Sequence, residues 1–162
     1  MIKKRFAKLI AFACIGALAV CMLAGCASQS QTPEQQQQAA NRAYMSQINK
    51  IAAELQTELE GLSASINSGD KVTIVSKAND ALAVLDKIEK LEVPDALKDV
   101  HEHYAAGCTS LREALSGYVD LYANAKGMSD ASYSARLSQI QDAYNKGIDE
   151  LKQADQVAAG KE

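Results

Sequence analysis

From Tyr44 onward, apolar side chains recur at steps of three and four. Tyr44, Ile48, Ile51, Leu55, Leu59, Leu62 and Ile66 form one stripe, the spacing of a helix with one face turned to a core. They predict a first helix over 33–66. Its start is marked by Thr32-Pro33-Glu34-Gln35: Thr32 can cap, Pro33 suits the first helical position, and Gln35 can reach back to close a capping box. Nothing apolar larger than Ala lies between Pro33 and Tyr44, so the first turns are expected to overhang the core. Asn67-Ser68-Gly69-Asp70 ends the helix. Gly69 is free to turn left-handed, and Asp70 is placed to cap the next helix.

A second stripe of Val75, Ala78, Leu82, Leu85, Ile88 and Leu91 predicts a helix over 71–92, with Asp86 and Lys90 paired one turn apart on its outer side. Pro94 pushes Val93 out of the helical region and opens a third helix, over 94–125. There Leu97, Tyr104, Leu111, Tyr118 and Ala125 recur every seven residues, interleaved with His101, Cys108, Leu115 and Tyr122. Such a seam faces other helices. After Gly127, Ser129 or Asp130 caps a fourth helix reaching 159, with Tyr133, Leu137, Ile140, Tyr144, Ile148, Leu151 and Val157 on its inner stripe. Four amphipathic helices joined by short turns pack as antiparallel neighbours. The expected fold is all-α, an up-down-up-down four-helix bundle. A pair of long hairpins associating with a second copy is the runner-up.

The chain ahead of the first helix is of another kind. Lys3, Lys4, Arg5 and Lys8 make a basic start, and residues 9–24 are almost wholly apolar. That run is shorter than the ~20 residues a spanning helix needs. It closes on Leu23-Ala24-Gly25-Cys26, a tetrad that resembles a bacterial lipobox. The resemblance implies a bacterial lipoprotein: a leader over 1–25 that is cleaved, lipid on Cys26, a polar tether over 26–32 and a helical domain over 33–159. It also implies a place on the cell membrane or in the envelope, outside the cytoplasm, with the membrane as partner through that lipid.

Removing the leader changes the charge. Of seventeen basic and twenty acidic side chains, four basic ones lie in the leader, leaving thirteen against twenty and a net −7. Such a balance argues against nucleic acid or an anionic lipid surface as partner, since both need a basic face. Both Phe lie in the leader and there is no Trp, so the remaining core must be built from Leu, Ile, Val, Ala and Tyr. Cys14 and Cys21 are also in the leader and Cys26 is claimed by lipid, which leaves Cys108 alone. The domain is expected to stand on packing, without an internal disulfide.

Candidate chemistry is sparse. His101 lies on the seam of the third helix, one turn from Tyr104 and two from Cys108. His101 and His103 sit about 200° apart around a helix, so they cannot chelate from one face. There is no His pair at a spacing of four, no Cys-x-x-Cys and no Glu-x-x-His. No metal or cofactor is expected: His101 reads as a neutral, hydrogen-bonded core histidine, His103 as solvated, and Cys108 as a small buried hydrophobe. Tyr104, Tyr118, Tyr122, Tyr133 and Tyr144 fall on or beside inward stripes. Rings turned inward with wet hydroxyls account for them. A groove lined by His101, Tyr104, Tyr118, Tyr122 and Tyr144 that takes a peptide, small ligand or metal is the sharper alternative. No nucleophile-elbow, phosphate-loop or paired-carboxylate signature appears. The expected role is a structural or protein-interaction module with an envelope protein as partner, not an enzyme.

Overall fold

The computed structural model describes residues 32–124 and 126–160. The leader, Cys26 and seam position Ala125 lie outside them. Among the described residues the fold is all-helical: α1 (Pro33–Ser68), α2 (Lys71–Glu89), α3 (Lys98–Asn124) and α4 (Asp130–Ala159).

The starts and stops obey local chemistry. Thr32 and Gln35 form the reciprocal capping box, with Pro33 at the first turn. Gly69 stops α1 at φ 74°, where a Cβ would be strained. The Asp70 carboxylate then accepts from the backbone N–H groups of Val72 and Thr73 and caps α2. Ser129, rather than Asp130, caps α4. The third helix begins less directly than its pattern implies. Pro94 is extended at φ −62° and ψ 144°, and a single 3-10 turn, Asp95–Leu97, leads into α3.

The α1 stripe is buried from Tyr44 to Leu62, with Ile66 half-buried at its end and most of residues 33–43 exposed. In α2 the buried face is rotated from the expected one: Ile74, Ala78, Ala81, Val84, Leu85 and Ile88 are buried, while Val75, Leu82 and Leu91 are only half-buried. The reason is that α2 packs against both α1 and α3, which draws the inward face round toward residues 74, 81 and 84. Asp86 likewise pairs across to Arg112 of α3 at 2.8 Å, and not along its own helix with Lys90.

α3 is the central element. It packs on α2 and, far more extensively, on α4. Ten of its positions are buried, including Gly107, Ser110, Ala114 and Gly117. In α4 the buried positions are mostly small: Ile140, Ala143, Gly147, Ala154 and Ala158. The larger Tyr133, Leu137, Tyr144, Ile148, Leu151 and Val157, expected at the centre of that stripe, flank it half-buried. A Cβ built on Gly147 would lie 2.7 Å from Leu111 Cγ and 3.0 Å from the Gly107 carbonyl oxygen, and one on Gly107 would lie 3.1 Å from the Gly147 carbonyl oxygen. The two backbones thus approach too closely for any side chain between them. Residues from all four helices share one apolar core, and a smaller cluster of Ala114, Leu121, Ile140 and Ala143 belongs to α3 and α4 alone.

Candidate functional site

The five residues expected to line one groove fall into two groups. His101 and Tyr104 sit in the first turns of α3, with Tyr118 and Tyr122 more than three turns further on. At 1.5 Å per residue, His101 and Tyr118 are about 25 Å apart along the axis.

At the lower level, side chains of α3 tie α1 and α4 together. The buried Tyr44 hydroxyl of α1 lies 2.8 Å from His101 Nδ1, with the two rings edge to face and their centroids 6.0 Å apart. The two groups share one hydrogen bond, its direction set by the imidazole tautomer. His101 is therefore hydrogen-bonded within the fold. Three residues on, the buried Tyr104 donates to Asp155 Oδ1 of α4 at 2.6 Å. His103, expected to be solvated, is half-buried with Nδ1 3.1 Å from Glu150 Oε2 of α4. The cause is the position of α4, whose close approach brings Glu150 alongside a face of α3 that would otherwise be open. Burial raises the tyrosine hydroxyl pKa at both Tyr44 and Tyr104, helped at Tyr104 by the bond to Asp155 and its charge. Burial also pushes the Cys108 thiol up to about 12, with the Glu89 charge adding to it. A protonated, inaccessible thiol is a poor nucleophile and a poor ligand. Among the described residues, no group of three or more His, Cys, Asp or Glu side chains is placed to hold a metal ion.

At the upper level, Tyr118, Tyr133 and Tyr144 gather around the smaller α3–α4 cluster with Met128 and Leu137, and Tyr122, packed on the main core, interacts with Tyr133. Burial pushes Tyr118 and Tyr122 up to about 12, with neighbouring tyrosines adding to it; Tyr144 is raised by burial alone. Tyr118 and Tyr144 also line a cleft between α1, α3 and α4, together with Leu59, Ser63, Ile66 and Gln141. α1 and α4 have no extended close approach of their backbones, so half-buried side chains bridge the seam where the cleft lies. Its volume is about 30 Å³, room for a water molecule or two. An organic ligand would require α1 and α4 to part.

No family model matches this chain, and no curated protein or solved structure matches it either.

The partners Tyr44, Glu150 and Asp155 were not legible as such in the sequence. Tyr44 carries a signal, as the first large apolar residue of its stripe. Glu150 and Asp155 carry none, because their pairing depends on how far α4 is shifted along α3.

Proposed function

We propose that this chain is a bacterial lipoprotein, anchored by lipid on Cys26, that acts as a structural or protein-interaction module in the cell envelope. The tetrad Leu23-Ala24-Gly25-Cys26, coming after a basic start and an apolar run, carries this reading. In it, residues 1–25 are removed, 26–32 are a tether, and 33–159 form the working domain. Two features of the fold agree with such a role. The capped start of α1 adjoins the tether directly, and the exposed, polar turns over 33–43 make a stalk. The polar side chains at the lower level are engaged with one another across helices, in the manner of structural ties.

In the same reading the four helices run alternately up and down. Descending partners support that order. Glu54 and Glu58 of α1 pair with Lys87 and Lys77 of α2. Along α3, His103, Gly107, Gly117 and Asp120 meet Glu150, Gly147, Ile140 and Arg136 of α4 in turn.

Intact mass of the protein extracted from membranes tests the anchor. The expected species starts at Cys26 and carries added acyl mass, and Cys26→Ser abolishes that mass and moves the protein out of the detergent phase. An unmodified chain beginning at Met1 would overturn the proposal.

A further inference from the structure

We draw no further inference here: the strongest candidate, the cleft between α1, α3 and α4 lined by Leu59, Ser63, Ile66, Tyr118, Gln141 and Tyr144, has room for only a water or two, and nothing in the structure shows what would cover or enter the seam above it.

Discussion

The two helix pairs are held together by different means. α1 buries mostly Ile and Leu and α2 a mixture of Ile, Leu, Val and Ala, and Glu58–Lys77 and Glu54–Lys87 ion pairs join the two helices. α3 and α4 meet backbone to backbone at Gly107 and Gly147, with Leu111 and Leu151 folded over the contact. A contact padded by long side chains can adjust when one of them changes. A contact between main chains cannot, because no rotamer can move a carbonyl aside. The α3–α4 pair should therefore be the sensitive half of the molecule, and the α1–α2 pair the tolerant half.

Leu111 is where the contrast should show most. It is fully buried and lies directly over Gly147, so Leu111→Ala removes both apolar burial and the cover of the glycine contact. A loss of about 2–5 kcal/mol in denaturant unfolding is expected. A loss below about 0.5 kcal/mol would show that the α3–α4 contact is built some other way.

A matched pair of glycine substitutions sharpens the point. Gly147→Ala puts a methyl 3.0 Å from a main-chain oxygen and should destabilise by about 1–3 kcal/mol, although Ala favours helix by about 1 kcal/mol. Gly61→Ala in α1 meets only the Lys77 side chain, 3.1 Å away at Cδ. That chain can swing aside, so the helix preference should win and stability should rise by up to about 1 kcal/mol. Equal effects at the two sites would erase the distinction between the pairs.

Alkali should act first through α3. The thiol of Cys108 rises from 9.0 to about 12 on burial, so above pH 9 the unfolded chain gives up this proton before the native one does. The thiol's contribution to stability is complete below pH 9 and is lost as pH climbs toward 12, at no more than about 1.4 kcal/mol per pH unit for one group. Tyr118 and Tyr122, also raised to about 12, add the same sign above pH 10. Unfolding measured from pH 8 to 11 should show the decline, and Cys108→Ala should delay its onset to the tyrosine range. A variant whose profile is superimposable on the parent's would rule the thiol out.

The smallest effect belongs to the α1–α2 edge. Lys87 and Glu54 are each about half exposed, so Lys87→Ala should cost roughly 0.2–1 kcal/mol and less in high salt. A cost above 2 kcal/mol would mean the edge carries more of this contact than its exposure allows.

Helix number, caps and breaks were legible because each is written locally: Thr32 with Gln35, Gly69, Asp70, Pro94 and Ser129 act on their immediate neighbours. The α1 stripe was legible too, since α1 offers one apolar face. The α2 stripe lies part of a turn from the buried face because Ile74 and Val75 are adjacent and both apolar, and only the positions of α1 and α3 choose between them. In α4, periodicity favours the large residues, whereas the backbone approach gives the centre to Ala143, Gly147, Ala154 and Ala158. The partners of His101, His103 and Tyr104 depend on the axial shift between helices, which no single helix encodes.

The first turns of α1 have a mechanical consequence. The eleven residues 33–43 are helical but largely exposed, so little beyond their own hydrogen bonds and the cap at Thr32 resists their melting. As helix they span about 16 Å, and drawn out as extended chain about 36 Å. A pull on the start of the chain would unwind these turns before it disturbed Tyr44, and the segment would lengthen about twofold while the core stayed closed. Those turns would act as a strain relief between the packed helices and any load applied at Thr32.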